Sequence, residues 1–330
     1  MIERQTQSSN ARYLVDNRNL SPQDHLILKV LRLYYDRKLT QAEISARMGF
    51  SRPKVSKLIA AGERRGLVKI EIAEPAGAYS QLELALEDRY GVDEVLVAPT
   101  SDDQRSTEMS VGGLGAAFLA QVCGVGSTLG VSWGAHVRAL VDAVPAMSFR
   151  CDKVVPLVGG IGRAETGLHS NRACLNLADK LGADALQLDA PAIARSARSR
   201  DELMETPGIE DTLKEAVSCD VAVVGIGGIL PTSTIIQAGF FTPAEFLELS
   251  DQGVVGDICF HFVDKEGVIC LPESSARVVG ITPEQLKNTP ETIGVVSGAA
   301  KVLGVAAALR GGYLDTLICD KALAEALAET

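Results

Sequence analysis

The amino-acid sequence predicts an α/β protein in two parts: a small winged helix-turn-helix domain, then a larger domain built on a mainly parallel sheet. Three observations carry this. Residues 1–72 hold 14 Lys+Arg against 7 Asp+Glu and the remainder 18 against 35, so the net charge of −10 conceals a basic module joined to an acidic body. Residues 39–59, "LTQAEISARMGFSRPKVSKLI", set two caps, a turn glycine and an apolar stripe in one register. From Val92 onward short β-branched runs alternate with helical stretches, the pattern of strands laid side by side through helical crossovers. With 330 residues, 46 % of them apolar, the chain can bury a sizeable core and divide into a large and a small domain.

In the basic module Ser21-Pro22-Gln23-Asp24 opens a helix with a capping hydroxyl, a proline whose missing N–H costs nothing there, and an early carboxylate facing the dipole. Ile27, Leu28, Val30, Leu31, Leu33 and Tyr34 recur at helical spacing to about Arg37. Thr40 and Glu43 form a capping box for a short second helix, with Ala42, Ile44 and Met48 inward and Gly49 turning the chain. Ser51 is placed to cap a third helix, with Pro53 in its first turn and Val55, Leu58 and Ile59 inside. This is a helix-turn-helix, and "LVKIEI" (67–72) after Arg64, Arg65 and Gly66 reads as its wing.

Gln41, Ser51, Arg52, Lys54, Ser56 and Lys57 are the expected DNA contacts. Arg and Lys donate to guanine edges in the major groove, serine serves either base, and spare cations neutralise phosphates. The plain alternative is a helical hairpin with a solvated cationic face. One module holds a half-site weakly, so a homo-oligomer on repeated half-sites of double-stranded DNA is expected. Residues 74–91 read as a linker, "EPAGAYS", and a helix with Leu82, Leu86 and Tyr90 at four-residue steps. That helix is either a contact between subunits or the first helix of the next domain. The boundaries are therefore 1–73, 74–91 and 92–330.

In the larger domain "EVLVAP", "STLGVS", "KVVPLV", "ALQLDA", "VAVVGIG", "ICFHFV", "IGVVS" and "TLICD" read as strands. "EMSVGGLGAAFLAQV", "NRACLNLADKLG", "IEDTLKEAV", "TPAEFLELS" and "AAKVLGVAAALRGG" read as helices. Ligands of such sheets sit beyond the carboxyl ends of the strands. Four glycine-rich exits lie there: "GVSWG" (130–134), "LVGGIG" (157–162), "VVGIGGI" (223–229) and "SGAAK" (297–301). Each is a tight turn or a loop offering backbone N–H groups to oxygen atoms. Asp189, Asp257 and Lys301 beside them suit a polyhydroxylated ligand, with or without a phosphate; helix caps or surface ion pairs are the alternatives. Trp133 either walls the pocket or plugs the core. No clean phosphate-loop or dinucleotide pattern and no metal-ligand spacing at His136 or His261 is found, so no cofactor or metal is expected. Seven cysteines without C-x-x-C spacing read as reduced, buried thiols. No apolar run of membrane length occurs and "MIERQTQSSN" is no secretory signal, which points to the cytoplasm and to no membrane partner.

"LTQAEISARMGFSRPKVSKLI", "GVSWG", "LVGGIG", "VVGIGG", "GVVGDICFHFVDKEG" and "AAKVLGVAAALRGGYLDTLICDKALA", in this order and spacing, resemble the SorC family of bacterial transcriptional regulators over essentially the whole chain. The resemblance implies a tetrameric regulator of a carbohydrate-catabolism operon, with an effector domain similar to sugar-phosphate isomerase and deaminase folds. The implied effector is a sugar, a sugar phosphate or a polyol. By position the resemblance implies ligand contacts at Ser132, Ala135, His136, Gly159, Gly160, Asn171, Asp257 and Lys301. Many members continue "GVSWG" with Arg-Thr where this chain has Ala135 and His136. The expected mechanism is a ligand-gated switch in DNA affinity. An isomerase-like enzyme with a fused DNA-binding module is the alternative, but Asp257 has no second positioned acid or base beside it in the sequence, so no activity is expected. An architectural DNA binder would respond to no small molecule.

Overall fold

Contacts in the computed structural model, which describes residues 21–68, 75, 77–161 and 169–330, divide the chain into two units, Met1–Glu74 and Pro75–Thr330. In the first unit, capping chemistry sets the helix ends. Helix α1 (Pro22–Leu31) starts where the Ser21 hydroxyl accepts the Asp24 N–H and the Asp24 carboxylate accepts the Ser21 N–H. A π-helical turn, Arg32–Asp36, continues it. The predicted box of Thr40 and Glu43 opens α2 (Gln41–Met48), and Gly49 ends it in the left-handed region at φ 69°. Ser51 occupies the N-cap position of α3 (Arg52–Arg64), but its side chain makes no capping bond, contrary to expectation. Ile27, Val30, Leu31, Ile44, Val55 and Leu58 form the core of this unit. Met48 packs partly buried against it, whereas Ala42 is exposed rather than inward. Leu67 and Val68 also pack there, and the rest of the expected wing lies outside the described residues.

The second unit begins with α4 (Ser80–Tyr90), whose Leu86 is fully buried. Glu87 and Glu83 accept from the Val95 and Val97 N–H groups, which makes α4 the first helix of this unit. In chain order there follow β1 (Glu94–Ala98), α5 (Gln104–Val122), β2 (Thr128–Val131), α6 (Ala135–Ala143), β3 (Lys153–Pro156), α7 (Ser170–Leu181), β4 (Asp184–Ala185), α8 (Ala197–Met204), α9 (Pro207–Val217) and β5 (Val221–Gly228). Then come α10 (Thr234–Gln237), α11 (Pro243–Asp251), β6 (Gly256–Ile258), β7 (His261–Val263), α12 (Pro272–Ser275), α13 (Pro283–Lys287), β8 (Glu291–Val295), α14 (Val302–Arg310), β9 (Thr316–Asp320) and α15 (Lys321–Glu329).

Seven strands form a parallel sheet in the order β1-β9-β8-β5-β2-β3-β4, and β6 and β7 add antiparallel at the end of β5. Alternation along β5 shows why the strands are apolar throughout: Val221 and Val223 enter the cluster shared with α5, α6 and α7, and Ala222, Val224 and Ile226 enter the other. Two expected strands differ. "ALQLDA" contributes only Ala185 to β4, because Leu188 and Ala190 turn away into a side cluster with Ile209 and Leu213. "ICFHFV" is not one strand but parts of two, joined by Cys259 and Phe260, both at positive φ as a two-residue hairpin requires. Helices α6, α8, α10, α12, α13 and α15 have no counterpart among the expected helical stretches. The cysteines are free thiols, all buried except the half-buried Cys270.

Helices α5 and α6 meet at Gly112, where an added Cβ would lie 2.6 Å from the carbonyl carbon of Ala139. The next residue, Gly113, has nothing within 4 Å of that position. Gly112→Ala should therefore destabilise the larger unit by about 1–3 kcal/mol through overpacking. Gly113→Ala should be neutral or stabilising by up to about 1 kcal/mol through helix propensity. Paired denaturant titrations check this, and equal effects would show that the helices slide freely.

Candidate functional site

A cavity of about 650 Å³ opens at the carboxyl ends of the sheet. Its walls come from successive strand exits: Thr100 after β1, Gly134 to His136 after β2, Gly225–Gly228 ending β5, Ser297–Lys301 after β8 and Asp320 ending β9. Three of the four glycine exits thus converge, as placement beyond the strand ends predicts.

Glycine makes the floor possible. In the β5–β6 register Gly227 faces Asp257, and any Cβ there would overlap the carboxylate. A Cβ on Gly256 would lie 2.6 Å from the Gly227 carbonyl oxygen and 2.7 Å from Gly304 Cα; one on Gly304 would lie 2.6 Å from that same oxygen. These close approaches set β5, β6 and the start of α14 backbone against backbone, which places Asp257 and Lys301 in one cavity. The left-handed Cys259–Phe260 turn brings the Phe260 N–H back to donate to the Asp257 carboxylate. Phe260 stacks on Trp133 with centroids 4.5 Å apart and planes 6° from parallel. Trp133 therefore both walls the cavity and packs into the core.

Burial dominates the electrostatics. It raises the Asp257 carboxyl to about 6, against the opposing Phe260 N–H and the Lys301 charge. It lowers the Lys301 amine to about 8, against the attraction of Glu108, Asp257 and Asp320. His136 is held well below the usual histidine range by burial and by Lys301, so its ring is neutral, and its Nε2 lies 2.7 Å from Ser297 Oγ. Asp320 accepts from the Thr100 hydroxyl at 2.6 Å and the Gly298 N–H at 2.7 Å, fixing two cavity loops.

Of the residues expected at a ligand, Ala135, His136, Asp257 and Lys301 line this cavity. The others are placed elsewhere by bonds of their own. Ser132 is buried beneath the floor, where its Oγ accepts the Gly225 N–H at 3.2 Å. Gly159 and Gly160 pack on the 190–192 backbone, with a bond from the Gly160 N–H to the Ala190 oxygen. Asn171 clamps the backbone of Leu188 with both ends of its amide, and Asp189 beside it is exposed. Glu108 and Asp320 are not among the expected residues, and Ser297 figures there only as the head of the exit "SGAAK"; Asp320, a carboxylate ending the run "TLICD", carries a signal like those used elsewhere. His261 is half-satisfied: Nε2 reaches the Ile281 oxygen at 3.2 Å, while Nδ1 has no hydrogen-bond partner.

On the first unit Ser51, Arg52, Lys54, Ser56 and Lys57 are exposed at the amino-terminal half of α3, and Gln41 is half-buried at the start of α2. The Lys54 ammonium rests 4.0 Å from the centroid of the Phe50 ring, which holds it at the turn.

Asp257 binds its proton more tightly in the folded chain, so between the ordinary carboxylate range and about 6 stability falls as pH rises. Asp257→Asn removes that penalty. It should raise the melting temperature at pH 7 by a few degrees over wild type, with the gap closing towards pH 4. A gap independent of pH would mean that Asp257 ionises without hindrance.

Residues 74–329 match the family described as "Putative sugar-binding domain", and residues 18–77 match the MarR family. The chain is 30 % identical to the sorbitol operon regulator of Klebsiella pneumoniae, over 92 % of this chain and 97 % of that one. It is 28 % identical to the deoxyribonucleoside regulator of Bacillus subtilis (strain 168), over 92 % and 96 %. The crystal structure of the full-length sorbitol operon regulator SorC from Klebsiella pneumoniae matches with a TM-score of 0.71 at 29 % identity, covering 92 % of this chain and 98 % of that chain. The chain belongs to the SorC family of transcriptional regulators, with a helix-turn-helix unit followed by an α/β sugar-binding domain.

Proposed function

We propose that this chain regulates a carbohydrate-catabolism operon in the cytoplasm, binding double-stranded operator DNA through α3 under the control of a sugar, sugar phosphate or polyol in the sheet-end cavity. The observation that carries the reading is the buried Asp257 and the half-buried Lys301 lining one open cavity of about 650 Å³. Both groups are strained towards their neutral forms by burial, and hydroxyls that bond to them relieve that strain. Among the described residues no helix is long and apolar enough to cross a membrane.

The effector and the DNA communicate by linkage: whichever arrangement of the chain the effector binds more tightly, the DNA affinity shifts by the same factor. The acidic larger unit repels phosphates, which leaves the basic face of α3 as the contact surface. A homo-tetramer would present several such faces to repeated half-sites, raising affinity above that of one module.

Arg52→Ala and Lys54→Ala in the full chain should each weaken binding to DNA from immediately upstream of its own gene. A residue that contacts a phosphate should also lower the log–log salt slope by about one. The thermal response to effector should be unchanged. Anisotropy titrations at several salt concentrations read both effects, and unaltered DNA affinity in the double variant would remove α3 from the DNA interface.

A further inference from the structure

The charges and hydrogen-bonding groups of the cavity narrow the chemistry of its occupant. Four carboxylates line it, Asp102, Glu108, Asp257 and Asp320, against two cations, Arg138 and Lys301. Asp320 is spent on Thr100 and Gly298. Lys301 lies within the attraction of Glu108, Asp257 and Asp320, so its one charge is already matched. Arg138, like Asp102, is exposed where it lines the cavity, so these two opposite charges face solvent and offset each other. In the first turn of α6, where amide N–H groups would meet an anion, Ala135 offers no polar side chain. His136 offers a neutral ring already bonded to Ser297.

A phosphate monoester brings about −1.5 to −2 charge at neutral pH and oxygens that accept strongly. In this cavity it would leave water for a wall whose neutral donors, such as Ser101, Thr232, Thr234 and Gln237, carry no charge to match it, and whose carboxylates only accept and repel it. A hydroxyl both donates and accepts, so a polyhydroxyl chain can donate to Asp257 and Glu108 while accepting from Lys301. We infer that the effector is an uncharged polyol or sugar taken up without a phosphate group, and that Asp257 and Glu108 receive hydrogen bonds from its hydroxyls. This rests on reading the cavity as the effector site.

Trp133 is the one tryptophan of the sequence and lines the cavity, so its fluorescence reports occupancy directly. The full chain is titrated with erythritol, ribitol, sorbitol, mannitol, fructose and ribose, each beside its terminal phosphate ester, with inorganic phosphate as a further probe. At least one uncharged member should give a saturable change and a raised melting temperature, with its ester at least tenfold weaker. In Glu108→Gln and in Asp102→Asn that discrimination should shrink several-fold, since each removes a charge that repels the ester. Esters that bind more tightly than their free partners overturn the inference and leave the effector-site reading standing. Loss of that ester binding in Arg172→Ala would then move the anion to the adjoining recess of about 210 Å³, which Arg172 lines with Arg138 and Asp142. Silence of every compound in both series would reject the effector-site reading and the inference together.

Discussion

The cavity depends on backbones that touch. Gly227, Gly256 and Gly304 bring a strand, its antiparallel partner and the start of a helix to distances that admit no side chain between them. Strands ordinarily lie under 5 Å apart and helices about 10 Å from a sheet, so a helix start seated on the strand backbone is possible only where Cβ atoms are missing. From that constraint the rest follows. Asp257 faces a glycine and turns its carboxylate into the vacated space, while Lys301, just ahead of α14, arrives above Gly228 with its Cγ 3.4 Å from where a Cβ would lie.

The same closeness explains the unusual protonation. A carboxylate and an ammonium brought together at the surface would stay charged with little effect on either. Here burial is the first cause for both, and their mutual attraction only tempers it. The Cys259–Phe260 turn works against that shift: two non-glycine residues in the left-handed region let one N–H reach Asp257 and favour its ionised form. Backbone strain of this kind persists only where neighbours enforce it, and the stack of Phe260 on Trp133 is such a neighbour.

Much of this was legible in the sequence, for reasons that differ by element. The N-terminal helices announced themselves because Thr40, Glu43 and Gly49 act locally, through bonds within three or four residues. Buried parallel strands showed as β-branched runs, and three glycine exits were correctly sent to the sheet end. Where a residue's role depends on a distant partner the sequence was mute. Asn171 and Gly160 carry the right chemistry for a ligand, but they are taken by Leu188 and Ala190 across the fold. Glu108 sits mid-helix in an ordinary polar pattern, and nothing local tells that α5 passes the cavity. Ser51 shows the limit even of local rules: the right residue stands at the cap without making the bond.

A switch needs differential binding energy, and a two-state equilibrium moved from 1:99 to 99:1 demands roughly 5.5 kcal/mol. On the proposed reading, Asp257 and Lys301 are where part of that energy would come from. Asp257 raised to about 6 from 3.8 and Lys301 lowered to about 8 from 10.5 each correspond to roughly 3 kcal/mol of disfavoured charge, although the two are not independent. Hydroxyls that satisfy both groups recover part of that energy only in the arrangement that keeps β5, β6 and α14 in contact. Under the proposed function, a rearrangement that parted Gly227 from Gly304 would also shift Asp257 relative to Lys301 and forfeit that gain. On that reading, the glycine contacts that build the cavity would therefore also tie its occupancy to the arrangement of β5, β6 and α14.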